Sequence, residues 1–362
     1  MSYADAREFG RHFVVGLRPS PVLADDDKYL LDRLRPSGIV LFAGNFAAGE
    51  DYDVWLGRHR RLLHEARECL QRDEMLVCMD HEGGRVVRPP APVTHFDYAR
   101  TWADRAGKVG AAMAVELASL GVNLDFAPVM DVDSHPANPV IGPRAFATTP
   151  EEVAMAGTAF IAGLQGGGVM ACAKHFPGHG DASVDSHESL PVIDATLETL
   201  RSRELPPFAA AIQAGVRAVM TAHILIPNVD EEHPATLSER ILGGLLRGEL
   251  GFEGVVFTDD VGMGAVSERF RRTENAARFL LAGGDVLTLA GAGTDTSRAI
   301  ELARAIAREA AAGRVPERVL DASRERIAAL LRDAPRHEVQ ALEADVFARH
   351  AELAPVREPG RR

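Results

Sequence analysis

Short apolar runs rich in Val, Ile, Leu, Phe and Met recur along the chain, and each is followed by a stretch whose apolar positions return every three or four residues. The runs predict eight strands, at 11–17, 38–43, 75–80, 122–131, 168–174, 217–224, 254–259 and 284–290. The stretches between them predict helices near 22–35, 51–72, 107–120, 150–166, 195–214, 238–248, 273–283 and 296–312. A parallel neighbour needs a crossover, so strict alternation of strand and helix implies a parallel sheet. Eight such units predict an α/β fold of the closed (β/α)8 TIM-barrel type. An open doubly wound sheet is the alternative, but no strand runs into the G-x-G-x-x-G turn of a dinucleotide fold. Two further segments, 315–333 and 337–353, carry helical spacing with charge on one face and are expected to pack outside the barrel, ahead of a loose tail from Pro355. The expected division is a barrel domain over 1–335 and a C-terminal helix and tail over 336–362; a length of 362 residues would admit two domains, but no linker marks one.

Several predicted strands run apolar and then end in a reactive or hydrogen-bonding residue: Asp80, Asp131, Lys174 with His175, His223, and Asp259 with Asp260. In a barrel those carboxyl ends converge on the face where active sites lie. One terminal Asp is explained by capping the next helix. Five strands sharing the pattern point to a site instead.

Composition narrows the classes. With 40 basic against 52 acidic side chains, the formal charge of -12 argues against nucleic acid as a partner. Every apolar run is broken well short of a membrane span, and the polar start carries no secretory pattern, so the expectation is a cytoplasmic protein without membrane association. Cys69, Cys78 and Cys172 are odd in number and lack metal-ligand spacing, which predicts reduced core thiols. No H-E-x-x-H or C-x-x-C pattern marks a zinc site, and no metal or cofactor is expected. Lysine occurs only as Lys28, Lys108 and Lys174, which gives the strand-end position of Lys174 weight.

The stretch KHFPGHGDASVDSHESLP, 174–191, is the most informative one. It leaves the fifth strand with three histidines and several Gly and Pro breakers, and it is far longer than the ~2–6 residues usual for a βα loop. Within it Asp185 stands two residues before His187, a spacing that lets a carboxylate orient an imidazole and raise its basicity; a turn with a solvated His is the bland alternative. In FTDD, 257–260, alternation of side chains along a strand lets one carboxylate point into the mouth while its neighbour bonds backbone. DHEGGRVVR, 80–88, joins a Gly-Gly turn to two arginines suited to a polar ligand or to a structural ion pair.

Together with LFAGNF (41–46), LDFAPVMDVDSHPANPVIGPRAF (124–146) and MTAHILIPNVDEEHPATLS (220–238), these runs resemble the family 3 glycoside hydrolases, in particular the single-domain bacterial β-N-acetylglucosaminidase branch. The resemblance implies a retaining enzyme acting on a carbohydrate with terminal β-linked GlcNAc, such as the GlcNAc-1,6-anhydroMurNAc fragments of peptidoglycan recycling. It implies Asp259 as nucleophile, His187 as acid/base with Asp185 as its partner, and Asp80, Arg88, Arg144, Lys174 and His175 as substrate-binding residues. A phosphorylase of the same family and a non-catalytic sugar-binding barrel are the other readings. Three positions depart from the family's usual pattern: Gly44 replaces an Arg, His81 replaces Gln or Glu, and TDDVGM stands for SDDLSM.

Overall fold

The computed structural model describes residues 3–182, 184–186, 189–290 and 295–354. Its eight strands are β1 Phe13–Gly16, β2 Gly38–Leu41, β3 Leu76–Met79, β4 Leu124–Asp125, β5 Met170–Phe176, β6 Ala218–Thr221, β7 Val255–Asp260 and β8 Val286–Leu289. Each pairs in parallel with its sequence neighbours, and β1 pairs with β8 through Phe13–Leu287, Val14–Thr288 and Val15–Leu289, closing the barrel. The (β/α)8 expectation therefore holds, strand for strand.

The barrel interior follows from strand parity. Leu76 and Cys78, Met170 and Cys172, and Val255 and Phe257 point inward, joining Val14, Val40, Leu124, Phe126, Ala218, Met220 and Val286 in one apolar cluster. Continuing each parity by two residues brings Asp80, Lys174 and Asp259 to the carboxyl-end mouth. The amino end is closed by the helix Glu317–Asp333, whose Ile327, Leu330 and Leu331 join the same cluster. A second, larger apolar layer fills the space between strands and surrounding helices. Cys78 and Cys172 are buried free thiols in the interior, and Cys69 is a half-buried one.

Four expectations are refined. The run 122–131 pairs as a strand only at Leu124–Asp125, with a further bridge at Val129–Lys174, because Pro128 offers no N–H to the ladder. The helical stretch 197–213 contains a π-wound turn at Leu200–Glu204, and the helix Arg240–Glu249 is π-wound throughout. A short helix, Tyr3–Glu8, precedes β1, where only a polar start was expected. In 337–353 only Ala344–Ala351 is helical. The chain before it is held by bonds to other elements: His337 Nε2–H donates to the Gly168 carbonyl at 2.8 Å, Arg60 to the Val339 carbonyl at 2.9 Å, and the Gln340 amide to the Ser119 carbonyl at 3.0 Å.

Candidate active site

At the mouth, a cleft of about 360 Å³ is lined by Asp80, Glu82, Arg85, Val86, Arg88, Val140, Arg144, Lys174, His175, His179, Asp185, Ser186 and Asp259. Seven of the eight residues singled out for the site thus share one cavity. The eighth, His187, lies outside the described residues.

Five charged groups form a continuous ladder along one wall. Arg88 Nη2 donates to Asp80 Oδ2 at 3.3 Å, Lys174 Nζ to Asp80 Oδ1 at 2.6 Å and to Glu82 Oε1 at 2.7 Å, and Arg144 grips Glu82 with Nε and Nη2 at 2.8 Å each. Burial would push the Asp80 and Glu82 carboxyls up, but for Asp80 the charges of Lys174 and Arg88, and for Glu82 those of Arg144 and Lys174, outweigh it and hold both below the ordinary range. Lys174 loses to burial and gains more from Asp80 and Glu82, so it stays an ammonium donor. A lysine held in that state cannot serve as a base or an amine nucleophile; it can donate to ligand oxygens. The guanidinium of Arg88 also lies over the Phe42 ring, 5.1 Å from its centroid.

Glu82 is the residue the sequence reading passed over. It sits two positions beyond Asp80 in the DHEGG run, ahead of a turn that needs both glycines: Gly83 and Gly84 have φ of +90° and +57°, and a Cβ on Gly84 would lie 2.3 Å from the Tyr98 ring. The parity that brings Asp80 to the mouth reaches Glu82 two residues further on.

The second wall is built on histidines. Asp131 accepts from His175 Nδ1–H at 2.7 Å and from the amides of His175 and His179 at 3.2 and 2.7 Å. His179 is buried and held at about 4, so its ring is neutral near pH 7; its Nε2 lies 3.1 Å from Ser186 Oγ. His223 stands behind the cleft, its Nε2–H donating to the Asp260 carbonyl at 3.1 Å. The Lys174–His175 peptide is cis.

Across from the ladder, Asp259 lines the cleft and accepts from the Asp260 amide at 2.8 Å. Its neighbour turns away: Asp260 Oδ1 accepts from the amides of Gly262 and Ala290 at 3.0 and 3.2 Å, the division of labour that strand alternation predicts. Burial works against ionisation of Asp259, but the electropositive His175, His223 and Lys174 and the Asp260 amide more than offset it, leaving the carboxyl below its ordinary value. An ionised carboxylate in a cleft rimmed by cations and hydrogen-bond donors can act as a nucleophile or accept hydrogen bonds from a polar ligand. Among the described residues no group of His, Cys, Asp and Glu is arranged to hold a metal ion, and no helix is long and apolar enough to cross a membrane.

Residues 17–330 match the model of the glycosyl hydrolase family 3 N-terminal domain. The chain belongs to glycosyl hydrolase family 3. It is 36% identical over 289 residues to a beta-hexosaminidase of Methylococcus capsulatus, covering 78% of this chain and 83% of that one. A beta-hexosaminidase of Neisseria meningitidis serogroup C is 38% identical over 267 residues, covering 69% and 71%. NagZ from Neisseria gonorrhoeae, solved with N-trifluoroacetyl-D-glucosamine, superposes with a TM-score of 0.77 at 30% identity, covering 95% of this chain and 97% of that one. A family 3 beta-N-acetylglucosaminidase from Paenibacillus reaches 0.85 at 33% identity, covering 96% and 68%. This family 3 glycoside hydrolase is thus similar to NagZ along nearly its whole length.

Of the departures from the family pattern, two have a visible setting. A Cβ on Gly44 would lie 2.6 Å from Pro19 Cβ, so Pro19 occupies the space through which a side chain would leave. His81 is fully buried and, among the described residues, neither ring nitrogen has a partner; burial takes its pKa down to about 4, so the ring is neutral.

Proposed function

We propose that this enzyme is a retaining exo-β-N-acetylglucosaminidase that removes terminal β-linked GlcNAc, with GlcNAc-1,6-anhydroMurNAc muropeptide fragments of peptidoglycan recycling as substrate. The observation that carries the reading is the placement of the Asp259 carboxylate opposite the Asp80–Lys174–Glu82–Arg144 ladder in one monosaccharide-sized cleft. Asp80, Arg88, Lys174, His175 and Arg144 bind the hydroxyls and the 2-acetamido group of the terminal sugar. Asp259 attacks the anomeric carbon as His187 gives a proton to the departing oxygen, forming a glycosyl-Asp259 ester. His187 then takes a proton from water, whose oxygen attacks the same carbon and restores Asp259 with net retention. Asp185, on the rim of the cleft, tunes the charge of His187. The proposed setting is cytoplasmic, with 1–335 as the catalytic domain and 336–362 as an appended segment.

The test is to incubate the protein with an aryl β-GlcNAc, with and without phosphate, beside an aryl β-glucoside. Free GlcNAc in both buffers and little action on the glucoside is the expected result. GlcNAc-1-phosphate would make it a phosphorylase instead, and unchanged turnover by Asp259→Asn and His187→Ala would overturn the catalytic assignment.

A further inference from the structure

The long segment after β5 is gripped at its root from two sides. On the barrel side, Asp131 accepts from the His179 amide, and the Asn138 side chain donates to the carbonyls of His179 and Gly180 at 2.9 Å each. On the helix side, Arg203 Nη2 donates to Asp181 Oδ2 at 2.8 Å, and Arg203 Nε donates to Glu204 Oε1 at 2.6 Å. Glu204 closes the π-wound turn Leu200–Glu204, a distortion frequent at functional sites. Its side chain is 3% exposed, yet Oε2 has no hydrogen-bond partner among the described residues. That oxygen lies against Gly178, where a Cβ would come within 2.4 Å of it and where φ is +135°. A buried carboxylate with half its acceptor capacity unused costs stability that an apolar side chain would not. Its placement makes sense as an anchor: one oxygen holds the guanidinium that holds Asp181, and the other abuts the backbone one residue before His179, which in turn meets Ser186.

We propose that Glu204 is a positioning residue for the reaction: acting through Arg203 on Asp181 and through contact with Gly178, it sets the place of the segment that carries Asp185 and Ser186. Glu204 lines no part of the cleft, and the residues that bind sugar stand largely on other loops. It therefore governs kcat and leaves KM alone. This inference rests on the proposed role of the Asp185–His187 pair.

The experiment compares the parent, Glu204→Gln, Asp181→Asn and the double variant on an aryl β-GlcNAc, together with hydrogen exchange of peptides spanning 177–190. Misplacement of a reacting group by an ångström costs up to about 100-fold, so each single variant is expected to lose about tenfold or more in kcat, with KM within about threefold. The double variant falls no further than the worse single one, as expected of two residues in one contact chain. Exchange quickens in 177–190 and stays at the parent level in the barrel strands. An unchanged kcat, a change confined to KM, fully additive losses, or faster exchange spread over the whole barrel would each overturn the proposal. Asp181→Asn, on the half-buried loop side, decides the matter if Glu204→Gln does not fold. An inactive parent would defeat the reading of the site, whereas the exchange of 177–190 reports the anchor independently of turnover.

Discussion

Asp259 and Asp285 are carboxylates on adjoining strands of the same barrel, one at the carboxyl end of β7 and the other just before β8 begins, at the opposite face. Asp285 is wholly buried and saturated. Its Oδ2 accepts from Arg247 Nη2 at 2.6 Å and from the Val256 amide at 2.9 Å, and its Oδ1 accepts from Arg326 Nε and Nη2 at 3.0 and 2.8 Å. Asp259 accepts from the adjacent Asp260 amide and faces a cleft. A carboxylate whose lone pairs are all engaged by fixed donors, two guanidinium groups among them, fastens elements together and has nothing left for a ligand. One that is ionised by surrounding charge, without a guanidinium clamped on it, keeps an oxygen for a ligand and, in the proposed reaction, for the anomeric carbon.

The sharpest way to break this contrast is Asp259→Asn, which on the proposed mechanism removes the nucleophile and should lose activity on the order of 10⁴-fold, while its denaturant midpoint stays at or above the parent's. Next comes Asp285→Asn. Removing one partner of a buried ion pair destabilises by about 3–5 kcal/mol, so its urea midpoint should fall sharply, with turnover per folded molecule close to the parent's. If the two phenotypes were exchanged, the division between holding and reacting carboxylates would be lost.

Glu82 sharpens the contrast because fixed cations hold both of its oxygens, as they do for Asp285, yet it stands at the mouth. Glu82→Gln should lower kcat/KM by roughly 30-fold, about 2 kcal/mol for a charge-assisted bond, and lower stability as well. Its pH signature has a definite sign. The folded carboxyl is held below its unfolded value, so its stabilisation is complete above the unfolded pKa of about 4.3 and disappears as pH falls through the folded value. Urea titrations at pH 6 and pH 3 should show the parent's advantage over Glu82→Gln shrinking in acid. A last effect runs the other way. Burial pushes Glu204 up to about 7 against the opposing charge of Arg203, so ionising it in the folded state disfavours folding increasingly from the unfolded value, about 4.3, up to about 7. Relative to Glu204→Gln, the parent should lose stability with rising pH across that window.

The barrel was legible because each inward face is a short apolar run and each crossover repeats at helical spacing, two signals that reinforce one another. Asp80, Lys174 and Asp259 were legible for a related reason, as polar residues that end apolar strand runs, and the structure places them two residues beyond inward-pointing positions. What escaped depends on partners distant in sequence. Asp131 was visible as a strand end, but nothing nearby says that it holds the ring and amide of His175 and the amide of His179. Glu204 reads as one more charge on an amphipathic helix; only the π-wound turn and the approach of Gly178 distinguish it. The extended path before Ala344–Ala351 was missed because helical spacing persists there while Pro335 and bonds to other elements direct the backbone elsewhere.

The helix Glu317–Asp333 seals the barrel's amino end with Ile327, Leu330 and Leu331. During translation those residues leave the ribosome after all eight strands, so the nascent barrel must wait with an unplugged floor for its last apolar contacts. A stop codon upstream of this helix would not trim an ornament. It would leave the inner cluster open to water at the moment when unfinished chains are most prone to associate.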